Sequence, residues 1–495
     1  MRLSPQQIEA AYHHGLDAVL ALVEGLQEQI SQLQLYGATL EKRLEDLENR
    51  LKQNSSNSSR PPSSDAVRRV PPKKAPSGKP KGGQPGHRGH TLEMVSVPDL
   101  VVEHAPGHCA ACGVDLSGGE VLATVRRQIF ELPPIQVEVT EHRALEKRCA
   151  FCGAHTWGTF PEQIQAPVQY GPRLKALVLY LNTYQLLPYE RIGQLISDVT
   201  GQAISAGTLA QIVGQASVWT PCQEIKQEVV QSAVVHADET GMYVAGKLFW
   251  MHVASTAEQT LYGMTKKRGK AGMDALDVLP HVRGTMVHDG LSGYQQYESC
   301  RHALCNAHHL RELAALEEQG IQWAKRMGKL LLQMKQAVDR ARARGAGRPR
   351  EEVIASFLAR YEREVARAWK DIGPAPKEMV RRPMKDGSVE IHFREVRKKS
   401  PSYNLLVRLD KRRDQVLRFL EQAWVPFDNN QAERDLRMTK LKQKISGCFR
   451  SEAGAEAFCR LRSYVSTMRK QGKNVLAALE AAVEGHPFSC IPAPS

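Results

Sequence analysis

The feature that most restricts this chain is a break in its ability to make a core. From Arg60 to His90 there are eight basic residues, one acid, seven prolines and five glycines. They overlap the end of the polar run NSSNSSRPPSSD. Such a stretch buries too little apolar surface to offset the entropy of ordering it. The 495 residues therefore cannot fold as one body around one core, and at roughly 100–200 residues per domain several units are expected. Two readings of 54–90 stay open: a solvated linker, or a basic arm lying along phosphates and releasing their counterions.

Before the break, apolar residues alternate by three and four: Leu16, Val19, Val23, Leu26, Ile30, Leu33, then Leu40, Leu44, Leu47 and Leu51, with Gly37 as the one interruption. A heptad seam of this kind needs a facing helix. That helix comes either from a second copy or from the chain's own body.

After the break come Cys109-x2-Cys112 and Cys149-x2-Cys152, with 36 residues between the pairs. MRLSPQQIEA carries no basic-then-apolar export signal, so paired thiols read as metal ligands before disulfides. Four thiolates close a tetrahedral zinc site with no open position, so one structural zinc is expected. QIFELPPIQVEVTEHRAL alternates like strands around a Pro133-Pro134 turn, which suggests a zinc ribbon-like domain over 91–165.

Helices are expected over Arg191–Asp198 and Ala206–Gln215, with Ser205 as a cap; the spacing is compatible with a helix-turn-helix. Then the period changes. SAVVHADET, KLFWMHVAST, QTLYGMT and GTMVHDG read as strands, and the chain beyond 303 reads as mostly helical.

Asp238 and Asp289 each close an apolar strand run, and Glu433 falls on the first turns of a helix that begins after Asp428-Asn429. Two strand-end carboxylates joined by a third from a helix make an oxygen-rich site of the kind magnesium or manganese neutralises. Two such ions perform phosphodiester displacement. A net charge of +14 and a pI near 9.3 favour a polyanionic partner. Glu433 itself is followed by Arg434, Arg437, Lys440, Lys442 and Lys444. No run reaches 18 apolar residues, which argues against a membrane span.

HADETG, VHDGLSGY, ALCNAHHLREL, PFDNNQAERDLRMTKLKQKISGCFRS and EAFCRLRSYVSTMRKQGKNVLAAL resemble the bacterial insertion-sequence transposases of family sixty-six, the TnpC type. The order of heptad helix, QNSSNSSRPPSSD, KPKGGQPGHRGHTLE and double CxxC is similar too, so the resemblance covers nearly the whole chain.

The resemblance implies a DDE transposase with an α/β RNase H-like catalytic core. Asp238, Asp289 and Glu433 would be its acids and bind two magnesium (or manganese) ions per site. Glu433 lies 144 residues beyond Asp289, so the helical stretch between them would be an insertion. Cys305 and His308 are similar to a C-x2-H signature that follows the second aspartate; a packed structural pair is the other reading.

The expected plan is a coiled-coil dimerisation helix (1–53), a basic disordered arm (54–90), the zinc ribbon-like domain (91–165) and a helical region (166–229). The first part of the core (230–309), a helical insertion (310–425), the rest of the core (426–485) and a tail (486–495) complete it. Expected DNA contacts are Arg68, Arg69, Lys73, Lys74, Lys79, Lys81 and Arg88 on the arm, with Arg434, Arg437, Lys440, Lys442 and Lys444 beside Glu433.

The expected partners are double-stranded element ends and target DNA, a second or further copy of the chain, and accessory proteins of the element. The expected location is the bacterial cytoplasm, at the nucleoid. The expected activity is strand cleavage followed by 3′-hydroxyl transfer. Two alternatives are an inactive DNA-binding regulator derived from a transposase, and a zinc hydrolase using His236, His288, His308 and His309.

Overall fold

The computed structural model describes residues 5–52, 91–374, 377–383, 389–395 and 400–492. The arm residues Arg68, Arg69, Lys73, Lys74, Lys79, Lys81 and Arg88 lie outside them. The chain divides into two compact units: 67–166 with 193–204, and the remainder. No helix among the described residues is long and apolar enough to cross a membrane.

At the N-terminus, α1 (Pro5–His13) leads into α2 (Leu16–Lys52). At 1.5 Å per residue, the 37 residues of α2 extend about 55 Å. Leu33 is 67% exposed and Leu44 61% exposed, so this seam is not covered by the rest of the chain at those positions.

Among the described residues 91–166 of the smaller unit, regular structure is sparse. Strands β1 (Glu146–Arg148) and β2 (His155–Trp157) form an antiparallel hairpin around the second CxxC. The strands expected over 128–145 do not form. Ile129, Leu132 and Val139 are exposed there, and among the described residues no opposing strand offers them a ladder. Alternation alone does not hold a strand without such a partner.

In the larger unit, α3 (Pro172–Leu179), α5 (Ala206–Val218) and α6 (Cys222–Gln231) precede the sheet, and α4 (Tyr189–Thr200) lies between α3 and α5 in sequence. Ser205 caps α5 by accepting from the Thr208 amide.

The sheet contains β3 (Val234–Val244), β4 (Lys247–Ser255), β5 (Thr260–Thr265), β6 (Thr285–His288) and β7 (Arg301–Leu304), in the spatial order β5-β4-β3-β6-β7. The first three are antiparallel neighbours; β6 and β7 continue parallel to β3. A short helix, α7 (Lys270–Asp274), lies between β5 and β6. The β3–β4 connection is a two-residue turn in which Ala245 and Gly246 both have positive φ (47° and 77°). That conformation matches the right-handed twist of the flanking strands.

Beyond the sheet, α8 (Asn306–Glu318), α9 (Gln322–Ala343), α10 (Glu351–Ile372), α11 (Pro401–Lys411) and α12 (Arg413–Glu421) share an apolar core around Trp323, Leu330, Tyr361, Leu405 and Phe419. The stretch is not purely helical, because β8 (Lys377–Pro383) and β9 (Val389–Glu395) pair as an antiparallel hairpin within it. The chain then returns to the sheet with α13 (Asn430–Ser446) and α14 (Glu452–Lys470), and ends with α15 (Val475–Val483). Met242, Val244, Met251 and Tyr262 of the sheet bury against Ala432 and Leu436 of α13 and Phe458 of α14.

Candidate active site

Side chains on a strand alternate between its two faces. On β3, His236, Asp238, Met242 and Val244 share one face, the one on which Met242 and Val244 meet α13 and α14. β3 is in parallel register with β6 through Val234↔Thr285, Val235↔Met286 and His236↔Val287. Two residues further along each strand, that register carries Asp238 and Asp289 to the same level of neighbouring strands.

The local setting of the two aspartates differs from expectation in one respect. Asp289 follows the last residue of β6, as its sequence suggests. Asp238 instead lies in the middle of β3, which continues to Val244. β4 stays paired to β3 from Ser255 down to Lys247. The parallel ladder with β6 stops at His236, so Asp238 sits where that partner has ended.

Asn429 sets the third element. Its side chain does not cap α13; Asp428 Oδ1 accepts from the Asn430 amide instead, at 3.1 Å. Asn429 is buried and reaches back to the sheet, with Oδ1 2.8 Å from His236 Nδ1 and Nδ2 donating to the Ala237 carbonyl at 2.9 Å. Its amide donates to Cys305 Sγ at 3.1 Å. One residue thus ties the start of α13 to β3 and to the start of α8. Glu433 is on the first turn of α13, where the helix dipole favours a carboxylate.

The carboxyl of Asp238 is held well above its usual range. Burial is the largest cause, then the charges of Glu239 and Asp289, with Glu433 adding to them against a hydrogen bond from the Glu239 amide. The three acids therefore share one electrostatic neighbourhood. Their oxygens do not form a set within 4.8 Å of one another. Asp289 Oδ1 accepts from the Leu291 amide at 2.9 Å, and Glu433 Oε2 accepts from Arg311 Nη2 at 3.3 Å. Glu433 Oε1 is buried without a hydrogen-bond donor. Carboxylates crowded in this way, with one oxygen unpaired, fit divalent cations.

Glu239 points to the other face. The Tyr294 hydroxyl donates to its Oε2 at 2.6 Å and Arg268 Nε to its Oε1 at 2.9 Å. The first bond anchors the loop after Asp289 to β3, and the second anchors the segment that follows β5. Neither Glu239 nor Asn429 is evident in the sequence as a site residue, since each acts through partners distant along the chain.

The histidines near the aspartates are mostly committed. His288 Nδ1 accepts from the Gly290 amide and its Nε2 lies 3.1 Å from His302. His309 Nδ1 pairs with Asn306 at 3.0 Å. His308 Nδ1 has no hydrogen-bond partner.

Among the basic residues of α13, Arg434, Arg437 and Lys444 are exposed. Lys440 and Lys442 are turned inward. Lys440 donates to the Gly241 carbonyl, and the Lys442 ammonium lies 4.4 Å from the centre of the Phe449 ring.

The two CxxC loops share one backbone design. Cys109 N donates to Val114 O and Gly113 N to Cys109 O; Cys149 N donates to Ala154 O and Gly153 N to Cys149 O. Gly113 and Gly153 have φ of 74° and 71°, which glycine adopts without strain. Amides of the loop, from Cys112 and Ala111 in one and from Cys152 and Phe151 in the other, lower the thiol pKa of Cys109 and Cys149. Each loop is thus shaped for thiolates. Among the described residues, no three of the four sulfurs lie within 4.8 Å of one another.

Comparison with known proteins agrees with this layout. A model described as the zinc-finger binding domain of transposase IS66 matches residues 106–153, and one for a family of unknown function matches 18–93. An uncharacterised protein, y4jO, of Sinorhizobium fredii (strain NBRC 101917 / NGR234) is 38% identical over 68 residues, 14% of this chain. The match covers 21% of that relative's length. The model of the IS66 transposase family matches residues 167–457, more than half of the chain and all of the sheet and acid-bearing elements above. The chain belongs to the IS66 family of transposases.

Proposed function

We propose that this transposase binds the ends of its element, cuts DNA strands there and joins the freed 3′-hydroxyls to target DNA, using Asp238, Asp289 and Glu433. The observation that carries the proposal is the parallel register of β3 and β6, which brings two aspartates abreast, together with α13, which adds a glutamate felt by Asp238. The strand order, three antiparallel strands extended by two parallel ones, supports an RNase H-like core.

Asp238, Asp289 and Glu433 would hold magnesium or manganese, two ions per site. When bound, these ions activate a water or 3′-hydroxyl and stabilise the leaving oxygen. Arg311 orients Glu433 through Oε2, and Asn429 fixes the start of the helix that bears it. The exposed Arg434, Arg437 and Lys444 would hold phosphates, as would the basic arm. Lys440 and Lys442 face protein partners, which favours the first three as the DNA contacts of α13.

In this reading Cys109, Cys112, Cys149 and Cys152 together bind one structural zinc, and α2 joins two copies through its apolar seam. Accessory proteins of the element, further copies in a synaptic assembly and action at the nucleoid belong to the same proposal. The direct test is magnesium-dependent cutting of element-end DNA by the full chain. Cutting that persists at wild-type rate in Asp289→Asn would overturn the site assignment.

A further inference from the structure

We propose that Cys305, His308 and Glu433 form a second metal site, for a zinc-class transition ion, built around the glutamate of the acid cluster. Among the described residues these three are the one group of His, Cys, Asp or Glu donors whose ligand atoms all lie within 4.8 Å of one another. Cys305 precedes α8, His308 lies in its first turn and Glu433 lies in the first turn of α13, so two helix starts face each other.

Two of the three donors, on His308 and Glu433, are open to a ligand. His308 Nδ1 stands 3.7 Å from Glu433 Oε1. Two ligands at about 2 Å from one tetrahedral ion stand roughly 3.3 Å apart, so a small inward movement meets that geometry. Both atoms are buried and have no hydrogen-bond partner. Leaving buried polar atoms unpaired is costly, and a bound ion removes that cost. Arg311 takes the other glutamate oxygen, Oε2, and so leaves Oε1 facing the histidine. Cys305 Sγ accepts from the Asn429 amide, which fixes its position beside α13.

The donor set selects the ion. One sulfur, one nitrogen and one carboxylate oxygen suit zinc, with the fourth position left to water; magnesium prefers an all-oxygen octahedron. A consequence follows that rests on the proposed function. Because Glu433 serves both sites, zinc at Cys305 and His308 holds Oε1 away from Asp238 and Asp289 and slows magnesium-dependent cutting.

The test uses the full chain with its CxxC loops already filled with zinc. Metal content after gel filtration, and cobalt titration followed by absorption, report the second site. Wild type is expected to bind one more ion per chain than Cys305→Ser or His308→Gln, with a thiolate-to-cobalt band in the near ultraviolet and tetrahedral visible bands. Glu433→Gln is expected to keep the thiolate band and to lose at least tenfold in cobalt affinity. Equal metal content in all four proteins, or a cobalt-treated wild type without a thiolate band, would overturn the site; the wild-type spectrum settles this even where a variant fails to fold. In the second arm, micromolar zinc is expected to lower the wild-type cutting rate at least tenfold and to leave the rate of His308→Gln unchanged relative to its own zinc-free rate. Zinc that binds without slowing wild type would overturn the coupling through Glu433. Absence of any cutting would overturn the transposase reading and leave the binding result standing.

Discussion

At the scale of single residues, the acids and the asparagine that places Glu433 make separable predictions. Asp238→Asn, Asp289→Asn and Glu433→Gln keep shape and remove charge. Each is expected to lower strand cutting on the order of 10³-fold, because a metal-held charge contributes several kcal/mol to the transition state. Binding of end DNA, measured by gel shift, is expected to persist. Asn429→Ala removes two side-chain contacts and leaves the Ala237 carbonyl and His236 Nδ1 unpaired in the interior. A stability loss of about 1–3 kcal/mol in urea unfolding is expected, with a slower cut and unchanged DNA affinity.

Lys442 allows a pH test. Burial lowers its ammonium to a pKa of about 8, from a usual value of 10.5. Between those values the unfolded chain holds the proton and the folded chain does not. Stability from this group therefore rises with pH from about 8 to about 10 and is flat below 8. Thermal melts of Lys442→Met are expected to lose that rise and to show a higher Tm than wild type at pH 7.

At the scale of elements, α2 and the CxxC loops carry the predictions. Ile30, Leu33 and Leu44 are exposed along one helix, more apolar surface than a lone helix leaves in water. Leu33→Asp is expected to convert the full chain from dimer to monomer in sedimentation equilibrium. A dimer that survives this change would place self-association elsewhere. For the loops, Cys149→Ser is expected to release zinc and to open residues 91–165 to proteolysis, as for a small unit whose folding energy comes from its metal.

Elements also show how far the sequence could be read. The strands β3 to β6 are legible because their apolar runs are long and bounded by turns. The continuation of β3 beyond Thr240 to Val244 is not, since Gly241 ends the apolar run until β4 is seen to pair with it. The strands expected over 128–145 fail for the opposite reason, a good pattern with nothing to pair against. The β8–β9 hairpin lies in a basic stretch whose composition points to solvent. Asn429 could not be found by pattern at all, because its role consists of contacts to residues more than 120 positions away.

At the scale of the whole molecule, the account rests on distant segments meeting. The second aspartate and the glutamate are separated by α8 to α12, which fold around a core of their own and return the chain to the sheet at Phe427 and α13. A long insertion is compatible with a single site because it begins and ends beside the same strands: Asn306 N donates to the Phe427 carbonyl at 3.1 Å, closing the loop at its base. The net charge of +14 fits the polyanionic partner proposed for it.

The measurement that tests this most directly is cutting of labelled element-end DNA by the full chain in magnesium, run beside Asp238→Asn, Asp289→Asn and Glu433→Gln. The account predicts metal-dependent cutting by wild type, and DNA binding without cutting by all three variants. Wild-type rates in any one of them, or cutting by wild type in the presence of a metal chelator, would contradict it.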